Sequence, residues 1–212
     1  MNGLDSGILL DPAAIEAQSF ALIDAEVGPH PYTVRQWPIV RRVIHTTADF
    51  DFARTTWFSP GVVDGALAAL RGGARILCDT SMVMAGVNKT RLAALGASLA
   101  CHVADADVAA EARAQGITRS LLATRKGVAE GSSIFLIGNA PTALYELLRL
   151  AARGAVRPAL VVGVPVGFVG AEESKEALVA SGLPAIVCRG RKGGSAIAAA
   201  ILNALMILAE EG

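Results

Sequence analysis

The chain has 212 residues, 53% of them apolar and 18% charged, with 19 basic against 19 acidic side chains. A zero net charge without a basic face argues against a nucleic-acid ligand, and no apolar run reaches the 18 uncharged residues of a membrane span. The lack of a linker or low-complexity tract points to one domain over residues 1–212, and the light charge points to an oligomer that buries part of its surface.

The N-terminus carries no basic-then-apolar targeting pattern, so a cytoplasmic protein is expected. Cys78, Cys101 and Cys188 each end a predicted strand and read as small buried apolar groups in a reducing compartment. No CxxC and no cluster of His, Cys and Asp suggests a metal site.

Asp11-Pro12 starts a first helix, with Asp as N-cap and Pro in the first turn, and Gly28-Pro29 stops it. Ile15, Ser19, Leu22 and Ile23 share one face, which makes Ser19 a hydroxyl inside an apolar stripe. Such a hydroxyl either donates back to a helix carbonyl or is aimed into a pocket. A second helix over 38–45 buries Ile39, Val40, Val43 and Ile44. Arg42 and His45, three apart, meet on its other face. There the guanidinium opposes protonation of the imidazole and offers a bidentate carboxylate donor beside a proton-transfer group. The alternative is a solvated helix face.

A helix follows over 58–71, closed by Gly72-Gly73, then a strand over 75–78 with Asp79-Thr80-Ser81 at its end. Asn88-Lys89-Thr90 begins a short helix, in which Lys89 opposes the helix dipole unless an anion faces it. A strand over 97–102 and helices over 105–115 and 119–128 complete this part.

From residue 133 onward the pattern is strand, loop, helix, three times over, which predicts an α/β fold with a mainly parallel sheet of about five strands. The apolar run Ile134–Ile137 suits a strand buried on both faces. Gly138-Asn139-Ala140-Pro141-Thr142 breaks it, with Asn139 as N-cap and Pro141 in the first helical turn. That turn aims free N–H groups past the strand end, a geometry suited to an anion, and makes Asn139 and Thr142 candidate ligand contacts. The strands over 159–164 and 184–188 end in further loops, the second holding Arg189, Arg191 and Lys192 among Gly190, Gly193 and Gly194. Ligands of such sheets sit outside the carboxyl ends of the strands, so this loop is expected to bind carboxylates. The last helix, over 195–208, is apolar nearly all round, as in a core or a subunit interface.

Three histidines are available. His30 lies between two prolines and His102 ends a strand, which leaves His45 as the candidate acid or base. There is no GxSxG, HExxH, GxxxxGK[ST] or GxGxxG motif. Spacing alone therefore reaches an α/β protein with an anionic ligand and His45 at its centre.

Several stretches resemble the precorrin-8X methylmutase family of cobalamin biosynthesis. They are Ala14-Ile15-Glu16-Ala17-Gln18-Ser19-Phe20, Val43-Ile44-His45, Ile76-Leu77-Cys78-Asp79, and the run from Ile137 through Pro141 to Leu144. Val164-Pro165-Val166-Gly167-Phe168-Val169-Gly170 with Glu172-Glu173-Ser174-Lys175, and Arg189-Gly190-Arg191-Lys192-Gly193-Gly194-Ser195, complete the likeness. The resemblance implies a flavodoxin-like, doubly wound fold with extra N-terminal helices, a homodimer, and no cofactor. It implies an isomerase that moves a methyl group from C-11 to C-12 of a corrinoid by a 1,5-sigmatropic shift, yielding hydrogenobyrinic acid. The family's catalytic histidine falls on His45, and its substrate-contacting serine and arginine on Ser19 and Arg42. Asn139, Thr142, Arg189, Arg191 and Lys192 are the further substrate-binding candidates. The alternative is a non-catalytic corrinoid or nucleotide carrier on the same frame.

Overall fold

The computed structural model describes residues 10–211; the stretch read for a targeting pattern lies mostly outside them. Helix α1 spans Pro12–Val27, and the Asp11 carboxylate accepts the N–H groups of Ala13 and Ala14. Helix α2 spans Trp37–Thr47 and ends at Ala48, whose φ of 52° is left-handed. A single turn, α3 at Phe52–Thr55, leads into strand β1 at Thr56–Phe58. Three residues are too few for alternation to show, so periodicity does not reveal β1. Helix α4 accordingly starts later than expected, at Val62–Arg71.

The rest follows as β2 (Arg75–Cys78), α5 (Ser81–Gly86), α6 (Lys89–Ala94), β3 (Ser98–Ala100), α7 (Ala106–Gln115) and α8 (Arg119–Ala129). Then come β4 (Ile134–Ile137), α9 (Pro141–Ala152), β5 (Leu160–Gly163), α10 (Ala171–Ala180), β6 (Ala185–Cys188) and α11 (Ser195–Glu211).

The sheet has six strands rather than about five, in the order β1-β6-β5-β4-β2-β3. All pairs are parallel except β1 with β6, where Thr56 faces Cys188 and Phe58 faces Ile186. The five parallel strands keep the flavodoxin-like order, with the switch point between β2 and β4. The additional strand is the antiparallel edge.

Side chains alternate across the sheet. Ile76, Cys78, Leu136 and Ile186 join the core that α2, α4, α5 and α11 cover, and Leu77, Phe135, Ile137 and Val187 face α9 and α10. Helices on both faces explain why the strands read as continuous apolar runs.

Helix α11 is apolar all round for an internal reason. Ile197, Ile201, Leu202, Leu205 and Met206 are buried within the chain, between the sheet and α2, α4 and α5. Its composition is therefore not a sign of a subunit interface. A Cβ on Gly86 would stand 2.8 Å from the Ala199 Cβ, so α5 and α11 touch where neither has bulk. Helix α1, by contrast, leaves Ile15 and Leu22 exposed and buries only Ile23 fully.

Candidate active site

The inner stripe of α2, Ile39, Val40, Val43 and Ile44, is buried, and α11 is its main neighbour. This fixes the opposite face of α2, which carries Arg42, His45 and Thr46 into a cavity of about 490 Å³. Glu16 of α1 stands on the same side; Gly86, Asn88 and Arg91 form the other wall, and Ala196, Ala199, Ala200, Asn203 and Ile207 of α11 the floor. An adjoining pocket of about 330 Å³ shares Glu16, Arg42, Arg91 and Ile207 and adds Phe20 and Arg41. Three alanines give the floor a low relief on which a flat ligand can lie.

The His45 ring is exposed and meets the Phe20 ring edge-on at 5.3 Å between centroids. Phe20 also carries the Arg41 and Arg42 guanidinium groups at 4.3 and 4.8 Å from its centroid. The Arg42 fork donates to both oxygens of Glu16, at 2.5 and 3.3 Å. That hydrogen bond holds the Glu16 carboxyl below the usual carboxylate range, against the opposing effect of burial; the charges of Arg42, His45 and Arg41 add to the lowering. Ser19 donates to the Ile15 carbonyl at 2.8 Å, the back-bonding alternative of its two readings, and is not among the residues lining the cavity.

Of the lining residues only Arg42 and His45 were foreseen as site residues, and Glu16, Asn88, Arg91 and Asn203 show why. Glu16 and Arg91 look like ordinary helix-surface charges. Asn88 was visible only as a helix start, and its side chain does accept the Arg91 N–H. Asn203 carried a usable signal, an amide inside an apolar helix. It accepts the Asn88 N–H and donates to the Gly86 carbonyl, both at 2.9 Å, and so ties α11 to the far wall.

The carboxyl edge of the sheet is arranged differently. The Asp79 carboxylate accepts the N–H groups of Gly138, Asn139 and Ala140 at 3.1, 2.7 and 2.8 Å. Burial pushes the Asp79 carboxyl up while these donors pull it down, and the net direction is up. The N-cap position of α9 is Ala140 rather than Asn139, with no side-chain cap. The anion expected at this turn is thus the chain's own. Asn139 is exposed there, and the Thr142 hydroxyl pairs with that of Thr118 at 3.0 Å.

The basic loop is similarly engaged. Arg189 pairs bidentately with Glu176. Lys192 bridges Asp49 and Asp51, both at 2.6 Å, in the turn just after the His45 helix. Arg191 is the least engaged, 3.9 Å from Glu172, with its guanidinium 5.7 Å from the exposed Phe168 ring. A Cβ on Gly193 would lie 2.2 Å from the Val164 carbonyl oxygen, so the close approach that needs glycine is to the neighbouring loop. Beneath it, the buried Lys175 ammonium donates to the Lys192 carbonyl at 2.9 Å.

The structure therefore brings Arg42 and His45 together, with Ser19 on the adjoining helix. Asn139, Thr142, Arg189, Arg191 and Lys192 lie on the sheet edge, outside the cavity lining. His30 stacks on Trp37 at 4.0 Å, and His102 sits between Asp105 and Glu130 at 2.9 and 3.2 Å. Among the described residues no three His, Cys, Asp or Glu side chains form a metal-binding group, and no helix is long and apolar enough to cross a membrane.

The family model described as Precorrin-8X methylmutase matches residues 14–208. A cobalt-precorrin-8 methylmutase of Priestia megaterium is 45% identical over 206 residues, covering 97% of this chain and 92% of its own. A precorrin-8X methylmutase of Pseudomonas aeruginosa is 47% identical over 199 residues, covering 92% of this chain and 95% of its own. Among solved structures, the precorrin-8X methylmutase of Thermus thermophilus superposes with a TM-score of 0.87 at 44% identity, covering 94% of this chain and 97% of that one.

Proposed function

The chain belongs to the precorrin-8X methylmutase family, and on that premise we propose a division of labour in its active site: His45 moves the proton, Arg42 and Arg91 hold substrate carboxylates, and the α11 floor receives the macrocycle. The protein is an isomerase of cobalamin biosynthesis. Its substrate is precorrin-8X or the cobalt-containing analogue that gives several relatives their name.

The methyl shift breaks the C-11 bond to the methyl carbon as the C-12 bond forms, and the displaced electron pairs move through the conjugated ring. Nothing leaves and nothing is added, so the reaction asks for no external nucleophile or electron carrier. It asks for a protonation change that favours the product, which a positioned imidazole supplies and later takes back. Such a group is typically worth about 10²–10⁴-fold in rate.

The observation that carries this reading is the joint placement of Arg42 and His45 on the cavity face of α2 above a floor of small residues. Arg91, on the other wall of the cavity, gives a second cation. Pairing of two copies is part of the proposal. It is supported by the low charged fraction and by exposed Val166, Phe168 and Val169 beside Arg191. Sedimentation of the purified protein at micromolar concentration should give twice the chain mass.

The functional test is turnover. Incubation with precorrin-8X should convert its chromophore to that of hydrogenobyrinic acid in many-fold excess over enzyme. Stoichiometric binding without conversion would instead establish a carrier.

A further inference from the structure

The substrate proposed above is a polyanion, yet the cavity has no uncommitted cation to meet it among the described residues. Arg42 is paired with Glu16, Arg41 with Asp24 and Arg91 with Glu210. Of these three acids only Glu16 lines the cavity itself, and it lines the adjoining pocket as well. A substrate carboxylate that takes the Arg42 fork must therefore displace Glu16.

The geometry decides where Glu16 then stands. Glu16 and Phe20 are four apart on α1, so they lie one turn apart on a single face. Arg42 and His45 are three apart on α2. The two faces meet as a block of four, Arg42 on Glu16 and His45 against Phe20, with both guanidinium groups resting on the same ring. The Glu16 side chain is 46% exposed, and half-open ion pairs exchange partners readily. Once Arg42 turns to the substrate, Glu16 is left beside His45, while Arg41 and Arg91 keep their own acids, Asp24 and Glu210. The His45 charge is one of the influences that lower the Glu16 carboxyl.

We propose that Glu16 is a positioning residue for the proton step: it holds the Arg42 fork in the empty site, and when a substrate carboxylate takes that fork Glu16 becomes the counter-charge of the His45 imidazolium. Substrate binding and protonation of the catalytic histidine are thereby coupled. Arg41, Arg42 and Arg91 face the same space and oppose the imidazolium; Glu16 is the acid of the cavity lining itself, and Glu211 joins it in the adjoining pocket. The inference rests on the reading of His45 as the proton-transfer group.

The test is Glu16→Gln, which keeps the shape and removes the charge, with Glu16→Asp as the variant that keeps the charge. Binding is followed by absorbance titration with hydrogenobyrinic acid and turnover with precorrin-8X. Glu16→Gln should bind the product as tightly as wild type or up to about tenfold tighter, because the competitor for Arg42 is gone. Its kcat should fall by about tenfold, and the alkaline limb of the kcat–pH profile should move down by about half a pH unit or more. Glu16→Asp should restore the limb toward wild type. Weaker product binding with an unchanged pH profile would overturn the proposal and leave Glu16 as a mere support for Arg42. If instead His45→Ala turned over like wild type, the functional reading itself would fail, whatever Glu16→Gln does.

Discussion

Two parts of the molecule offer the same chemistry to an anion, and they use it in opposite ways. At the carboxyl edge of the sheet, backbone N–H groups and cations converge, but Asp79, Glu176, Asp49 and Asp51 already occupy them. In the cavity between α2 and α11 the acid on Arg42 is half open, and His45 projects with no hydrogen-bond partner among the described residues. A glycine-rich turn with a helix N-terminus shows where an anion can sit. It does not show whether that anion comes from outside. At the turn itself the partner is buried, as Asp79, whereas Glu16 is not, and the acids on the basic loop, Glu176, Asp49 and Asp51, are half-open like Glu16.

Exchanging one residue in each region should therefore break different properties. The largest expected effect is at His45. Because the ring is exposed, His45→Ala should leave the fold and most corrinoid affinity intact. It should lower kcat by about 10²–10⁴-fold, or about 3–5 kcal/mol of barrier, in the spectrophotometric assay. At the edge, Asp79→Ala should do the reverse. It leaves three N–H groups in and beside a buried turn without their acceptor, and each such orphan costs about 1–3 kcal/mol, not additively. A loss of about 3 kcal/mol in urea unfolding is expected, with unchanged product affinity in the folded protein. A specific loss of affinity would mean that the Asp79 turn belongs to the ligand site after all.

The longer helices, the five parallel strands and the His45–Arg42 pair were legible in the sequence, and for one reason; the short helices α3 and α5 were not. Each rests on contacts within a few residues, such as the Asp11 cap, the α2 stripe or the Ile134–Ile137 run. Strand β1 was not legible, since its only partner is β6, more than a hundred residues later. The partners of the loops were hidden in the same way. Asp79 precedes the turn it fills by about sixty residues, and Asp49 precedes Lys192 by 143. Sequence spacing locates donors and cations, whereas tertiary contacts decide which of them remain available. Asn203 is a long-range contact too, though a polar amide inside an apolar helix is a signal that could have marked it.

The loop edge is also held from below, and pH should expose this. Desolvation lowers the Lys175 ammonium from an ordinary 10.5 to about 8. Between pH 8 and 9 the native protein gives up this proton while the unfolded chain keeps it, so this group alone makes stability rise with pH, by about 1 kcal/mol over that unit. Over the same interval the unfolded thiols begin to ionise while the buried thiols of Cys78 and Cys188, raised to about 12 and about 11, and the raised Cys101 thiol do not, which acts in the opposite sense. The Lys175 share is therefore read as a difference: the stability of wild type minus that of Lys175→Met, by urea unfolding at each pH, should grow by about 1 kcal/mol from pH 8 to pH 9. A difference that stays flat would show that Lys175 does not titrate there.

The smallest expected effect divides the basic loop itself. Arg189 and Arg191 are two residues apart and identical in charge, yet Arg189 is held in both directions by Glu176 while Arg191 has only a 3.9 Å contact with Glu172 and a loose seat over Phe168. A carboxylate approaching this edge therefore meets one cation that is already neutralised and one that is not. Arg191→Gln should weaken hydrogenobyrinic acid binding by about threefold at low salt, the size of an exposed charge pair, and the difference should vanish as ionic strength rises. Arg189→Gln should leave affinity unchanged and instead cost a few tenths of a kcal/mol in stability, because it strands Glu176. If the two variants lose affinity equally, the Glu176 pair opens when ligand binds, and the sheet edge exchanges its internal acids as Glu16 is proposed to do. If neither loses affinity, the edge is a structural brace and carboxylate recognition is confined to the cavity under His45.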